Sequence, residues 1–592
     1  MQRNEIDEKL KWNVEKIYAT DDKFYSELDK LKDLVEKVSS HKGHILDSAD
    51  SLYDTLKDLE EAMRKAHKLM VYSHLRNDED TRESKYQEMN AVASNVLSNM
   101  SKDLSFIDPE ILSNDTSLID KYIEEKDELK IYRQFFDNML RFKEHTLSEQ
   151  EERIIASYNK LSENPVNTYM LFSNADISYK PAHKDGEEVK ITDANFTDLE
   201  EDDNREFRKE VYENYYSSYK QFENTAASLL DGEVKSNVIR ANLKKFSSAR
   251  EMSLFENNIS EEVYDNLIKV INDNMDIMHD YTTLRKKVLG VDELHFYDVY
   301  MPLVKSFDKK FIFDEAKEII LNAIKPLGKE YVEIARNGFE DRWFDVCAND
   351  GKRSGAYSSG CYDTDPYILL NFTGGLDSIF TIVHELGHSM HSYFTRKNQP
   401  FVYGSYSIFL AEIASTTNEL LLLDYMIKNA KDESEKAYLL NYYMHSFKST
   451  VYRQTMFAEF EHEVNKLVEA DKAVSANILD KIYHDLNEKY FGKDMIVDDY
   501  ISVEWARIPH FYMFYYVYQY ATGFCAAVAF SQKILSGNQE DIDKYLGFLK
   551  AGESDYALNV LKKAGLDMAD PNSIQKALDV AREKMNELKE KL

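Results

Sequence analysis

Glycine and proline are the residues that bend or stop a regular backbone, and this chain of 592 residues holds only 19 of the first and 9 of the second. A sequence so poor in both excludes collagen, flexible linkers and a turn-rich β-sandwich, and it predicts long helices. Hydrophobic residues make up 43% of the chain, which is enough to build a large core and excludes wholesale disorder. Length alone suggests about four domains, at roughly 150 residues each, but the lack of linkers argues for fewer.

Charge narrows the partners. Lys and Arg number 74 against 106 Asp and Glu, a net charge of −32. Such a surface repels phosphate backbones and anionic lipid, so neither nucleic acid nor a membrane surface is expected as a partner. Cys347, Cys361 and Cys525 lie far apart without a CxxC pair, which points to a reducing cytoplasm. The opening MQRNEIDEKLKW has no apolar run and predicts no secretory signal. The stretch Met513 to Phe530 carries no charge, yet Tyr515, Tyr516, Tyr518, Gln519 and Tyr520 crowd one end of it. A membrane span places aromatics at both edges, so this segment reads as a buried helix.

Up to about Met170 the chain repeats helical patterns, as in Leu31, Leu34, Val35 and Val38, and predicts an antiparallel helical array. Alternation from Ile177 to Ile191, broken at Lys184–Asp185–Gly186, predicts a hairpin. The acidic run Glu200, Glu201, Asp202, Asp203 is expected to open a helix, where acids favour the positive dipole end. A boundary is expected near Phe196, dividing an N-terminal helical region (1–195) from a catalytic region (196–592). Glycines gather between Asn349 and Gly375, marking loops around a short strand at Tyr367 to Phe372, and a helix is expected to begin after Asp377 as its N-cap.

That helix carries the sequence TIVHELGHSMHSYF from Thr381. His384 and His388, four apart, present both imidazoles from one helical face, while Glu385 is rotated by roughly 100°, near a metal but free to act beside it. With 15 histidines in the chain, chance gives roughly 0.03 such HExxH patterns, so this reads as a zinc site. A catalytic zinc needs a third protein ligand. The metzincin pattern is excluded, because its Gly and His positions are filled here by His391 and Phe394. Downstream, FLAEIASTTNELLL places Glu412 and Glu419 seven residues apart on one helical face. A lone acid between Leu410 and Ile413 is costly to bury without a partner, and this selects Glu412 as third ligand. Glu419 is then the residue that orients a histidine ring, with the reverse assignment as the rival. His391 reads as a residue of the core or of the ligand surroundings.

His384-Glu385-Leu386-Gly387-His388 with Glu412 in AEIASTTNE, GAYSSG at Gly355 to Gly360, RQTMFAEFEH at Arg453 to His462 and IPHFYMFYYVYQYATG at Ile508 to Gly523 together resemble the thimet-oligopeptidase family of zinc peptidases. The closer likeness is to its bacterial branch, oligoendopeptidase F. The resemblance covers roughly the last 400 residues well and the remainder more loosely.

It implies a mainly α fold: a large helical ellipsoid with a deep substrate channel, an HExxH zincin core and a small β-sheet near the active site. It implies one zinc per chain on His384, His388 and Glu412, Glu385 as general base, and cleavage of short unstructured peptides. The family's donors to the tetrahedral intermediate are a histidine and tyrosines on a late segment, which carry over to His510 and Tyr520, with Tyr512 and Tyr516 as substrate-binding residues. Tyr512, Tyr516 and Tyr520 would share one face of a helix. Tyr367 to Phe372 is expected to receive a peptide as an added strand. Two other readings stay open: a helical zinc carboxypeptidase, and a non-catalytic helical protein with a structural zinc.

Overall fold

A computed structural model describes residues 1–304 and 309–592. It is 71% helix and 3% strand, the mainly α architecture that scarce glycine and proline predict. The N-terminal array begins with α1 (Asp21–Ser39), α2 (Ala49–Glu79) and α3 (Ser84–Asp103). The Thr20 hydroxyl accepts from the Lys23 N–H and so caps α1, with Asp21 and Asp22 in its first turn. Leu28, Leu31 and Val38 are fully buried on the expected stripe, and Leu34 and Val35 pack beside them.

The hairpin joins β1 (Ala182–Lys184) to β2 (Glu187–Val189), paired antiparallel. Asp185 and Gly186 both have positive φ, 53° and 86°, as a two-residue type I′ turn requires. The acidic run that follows does not open a helix. The next long helix starts at Arg205 under an Asn204 cap, and Glu200 is instead buried ahead of it, after the short helix Phe196–Leu199. The cap side chain decides the start because it satisfies the Glu206 and Phe207 N–H groups, which an acid four residues upstream cannot reach.

Further along come β3 (Phe344–Asp345), β4 (Tyr357–Ser359) and β5 (Tyr367–Leu369), then α4 (Leu376–Asn398), α5 (Ile408–Lys428), α6 (Arg453–Glu469) and α7 (Tyr518–Leu535). α7 starts inside the charge-free stretch and is buried along most of its length. Among the described residues no helix is long and apolar enough to cross a membrane.

Two compact units divide the chain, and each is interleaved in sequence. One comprises Met1–Glu144, Asp308–Tyr425 and Phe530–Gly565; the other comprises His145–Phe307, Met426–Ala529 and Leu566–Leu592. The expected boundary near residue 195 is a division along the sequence, whereas this grouping is spatial and cuts across it. In the first unit the N-terminal helices supply the core on which the small sheet rests. Tyr367 and Leu369 of β5 are buried in the same cluster as Trp12, Leu31 and Tyr72, and the Tyr367 hydroxyl donates to the Asn13 carbonyl at 3.0 Å.

Candidate metal centre

The helix α4 starts at Leu376 with Gly375 as its cap, so Asp377 lies in the first turn and is not the cap. Two turns in, the Nε2 atoms of His384 and His388 lie 3.1 Å apart. From α5, Glu412 brings Oε2 to 3.5 Å from His384 Nε2 and 3.6 Å from His388 Nε2. Glu419 lies two turns further along α5, and its Oε1 accepts from His384 Nδ1 at 2.6 Å. The structure therefore brings His384, His388 and Glu412 together around one point and sets Glu419 behind the first imidazole.

The donor set fits a metal ion. Glu419 holds the Nδ1–H of His384, so Nε2 is the nitrogen left for a ligand once its second proton is displaced. The His388 ring donates to the Ala411 backbone, which leaves its Nε2 a lone pair. Two ring nitrogens and a carboxylate oxygen converge at 3.1–3.6 Å, a place that the second proton of His384 fills and that a metal cation can take in its stead. Ligand atoms at tetrahedral positions about 2.0–2.1 Å from zinc are about 3.3 Å apart, and two imidazoles with one carboxylate suit that ion. Burial opposes charge on His384, but the bond to Glu419 and the surrounding carboxylates prevail and take its pKa up to about 9. Burial and the neighbouring His384 charge push His388 down to about 4.

Gly387, between the two histidines, is what lets the helices meet. A Cβ there would lie 2.5 Å from Ser415 Cα and 2.9 Å from the Ala414 carbonyl, so any side chain would push α5, and Glu412 with it, away from α4. The HExxH pattern carries no signal for this contact. Glu412 itself is not enclosed by its aliphatic neighbours, since its side chain is 40% exposed. It stands beside the imidazoles because α5 crosses α4 there.

Glu385 is buried at 8% exposure, and that burial, reinforced by the Glu412 charge, raises its carboxyl to about 7. Its carboxylate accepts from the Ser358 backbone N–H, and the Ser358 and Ser389 hydroxyls meet at 2.8 Å, tying β4 to α4. Ser358 belongs to the GAYSSG segment, whose sequence gives no sign of this backbone contact. The sheet order is β3-β5-β4. β5 is bonded on both sides, parallel to β3 and antiparallel to β4, so Tyr367 to Phe372 cannot take a peptide as an added strand. The free edge belongs to β4, next to Glu385. His391 is fully buried, stacked on Tyr406 at 3.7 Å with neither ring nitrogen hydrogen-bonded, and so belongs to the core.

In the second unit, His510 lies in the 3₁₀ turn Pro509–Tyr512, where burial lowers its pKa. Tyr520 places its hydroxyl 3.4 Å from His510 Nε2, and the Tyr516 ring is 6.5 Å from the imidazole and 5.3 Å from Tyr520. Tyr512 does not share their face: its ring stacks on Tyr169 at 4.2 Å. The expected continuous helix is broken at Phe514 and Tyr515, whose φ values of 40° and 54° are left-handed, and α7 begins only at Tyr518.

A helix bearing two converging imidazoles with a buried acid between them, crossed by a second helix that supplies a carboxylate, is the HExxH constellation of mainly helical metallopeptidases. Comparison with known proteins narrows the class. The profile of Peptidase family M3 matches residues 199–580, that of Oligopeptidase F matches residues 110–179, and the chain belongs to peptidase family M3. The Oligopeptidase PepF of Bacillus subtilis is 45% identical over 592 residues, covering 100% of this chain and 88% of that one. A solved chain from Chlamydophila abortus aligns over 100% of both chains at 36% identity with TM-score 0.94. The oligoendopeptidase-F of Enterococcus faecium aligns with TM-score 0.74, also at 36% identity, over 96% of this chain and 99% of its own.

Proposed function

We propose that this chain is a zinc-dependent endopeptidase that hydrolyses short, unstructured oligopeptides, with one zinc per chain held by His384, His388 and Glu412. The observation that carries the reading is the convergence of two imidazole nitrogens and a carboxylate oxygen beside the buried acid Glu385. Zinc bound there supplies a Lewis acid and lowers the pKa of water towards neutrality. Glu385 accepts a proton from the attacking water and returns it to the leaving amine. The Ser358 N–H fixes that carboxylate, while Glu419 fixes the tautomer and plane of His384.

The peptide lies extended along β4, the edge strand whose Ser358 N–H is held by Glu385, and this sets its backbone alongside that carboxylate. His510 and Tyr520 donate to the developing oxyanion; in support, the depressed pKa of His510 keeps its ring neutral and its polar tip meets the Tyr520 hydroxyl. Tyr516, against both, contacts substrate, and Tyr512 contributes only what its stacking on Tyr169 leaves free. The preference for short peptides rests on the resemblance and on relatives named oligopeptidases. Placement in the cytoplasm rests on the scattered, unpaired cysteines.

Mass spectrometry of a peptide mixture incubated with the protein tests the reading. Internal cleavages that vanish with chelator and return with zinc are expected. Release of single C-terminal residues alone would make the chain a carboxypeptidase, and intact peptides throughout would leave a non-catalytic zinc protein.

A further inference from the structure

Helix Glu433–Phe447 runs into α6 through a single π-turn, Lys448–Tyr452. Widened turns of this kind shift side chains out of helical register and are frequent at functional sites. Here the turn sets Lys448, Ser449 and Tyr452, followed by Arg453, along a cavity of about 210 Å³ that Tyr300 also lines. None of these residues takes part in the peptidase chemistry above.

Lys448 is buried at 6% exposure, and among the described residues its ammonium has no hydrogen-bond acceptor and no carboxylate at ion-pair distance. Its Nζ lies 5.7 Å from the centroid of the Tyr300 ring, and His445, one turn earlier, feels its charge. The charges acting on it are chiefly of its own sign, from Arg285 and Arg453, and burial together with them holds its pKa well below the ordinary lysine value. The one acid acting on it, Glu504, is already engaged by Arg453 at 2.7 and 3.1 Å, by Tyr216 at 3.0 Å and by Tyr483 at 2.6 Å. Arg285 is also left over: it donates to the Asp298 and Met301 carbonyls, but its Nε is buried without an acceptor. The Asp298 carboxylate is taken by Arg205 and Arg208. Once every nearby carboxylate is assigned, Lys448 has no counter-charge along the cavity, so its charged form is disfavoured while the cavity holds no anion. An anion entering the cavity would favour the ammonium, so anion and proton would be taken up together.

We propose that the cavity binds a small inorganic anion, held by the Lys448 ammonium with the Ser449 and Tyr300 hydroxyls beside it. At roughly 30 Å³ per water, its volume equals that of about seven water molecules. That admits an oxyanion of four or five heavy atoms and excludes a nucleotide or peptide.

The test uses the full-length zinc-loaded protein in sodium gluconate, whose anion is too large for the cavity, with phosphate, sulfate or chloride exchanged in at constant ionic strength. Calorimetry and the thermal midpoint are the readouts. Phosphate is expected to bind once per chain and to raise the midpoint saturably, while Lys448→Met binds at least tenfold more weakly. Ser449→Asp, which installs a carboxylate inside the cavity, is expected to melt higher than the parent in gluconate and to gain nothing from phosphate. The proposal is overturned if none of the three anions moves the parent's midpoint, or if Lys448→Met responds as the parent does. Should Lys448→Met fail to fold, Ser449→Asp decides alone, and a phosphate response in it equal to the parent's rejects the site.

Discussion

Glu385 and Glu412 are both acids beside the same two imidazoles, and only their placement separates their work. Glu385 extends from α4 itself, is buried and faces the Ser358 N–H, whereas Glu412 reaches in from α5 with an oxygen level with both Nε2 atoms. Glu385→Gln is therefore expected to retain the metal and to lose about 10²–10⁴ in turnover, because an amide cannot accept the water's proton. Metal analysis and kinetics on one sample check both halves. Glu412→Gln is expected to release zinc, and Glu419→Gln to weaken its retention by about 10–100-fold through loss of the bond to His384 Nδ1. Zinc held by the Glu412 variant and lost by the Glu419 variant would reverse the two roles. His510→Ala is expected to lower kcat by about 10²–10³ with KM little changed, as for a donor used only in the transition state. A lowered melting temperature with intact turnover would make His510 structural instead. The histidines were legible in the sequence because helical spacing is local. That Glu412 meets the histidines was expected as well, but on the wrong ground: a side chain 40% exposed needs no ion to excuse its burial.

At the scale of elements, the sequence marks which segments are helices and strands but not which edge stays open. Tyr367 to Leu369 reads as a strand, yet its apolar character reflects burial between two partners, and the edge beside Glu385 falls to the more polar Tyr357–Ser359. The tyrosine run misled for a related reason. A spacing of four suggests one helical face, but a long-range contact overrides it: Glu461 of α6 accepts from the Tyr515 N–H at 2.6 Å, pinning a non-glycine residue in a left-handed conformation. That acid is buried and its pKa is pushed up to about 8 from the ordinary 4.5. Between those values the folded chain holds a proton that the unfolded chain has released, so folding stability falls as pH rises through the window. Glu461→Gln keeps an acceptor for Tyr515 and carries no such dependence. Its melting temperature is expected to match the parent's near pH 5 and to exceed it at pH 8, with a gain approaching a few kcal/mol at about 1.4 kcal/mol per pH unit. Parallel pH profiles for the two proteins would show Glu461 to be ionised in the fold.

For the whole molecule, scarce glycine and proline were enough to predict a helical protein, because chain stiffness is a property of composition. The grouping of those helices was not legible. Each compact unit is assembled from three separated segments, and contacts between residues hundreds apart leave no periodicity to read. The division has a measurable consequence, since all of His384, His388, Glu412 and Glu419 fall within the unit built from Met1–Glu144, Asp308–Tyr425 and Phe530–Gly565. A ligand stabilises what it binds by RT ln(1 + [L]/Kd), about 4.1 kcal/mol at a thousand times Kd. Local opening does not have to draw on that energy throughout a chain of this size. Removing zinc with a chelator is therefore expected to speed deuterium exchange in α4 and the first four turns of α5. Helix Arg205–Gln221, in the other unit, should exchange at an unchanged rate. Hydrogen-exchange mass spectrometry with and without zinc reads both regions at once. Equal loss of protection in the two would mean that the units open as one cooperative body, and no change in α4 would remove the metal from the stability of the fold altogether.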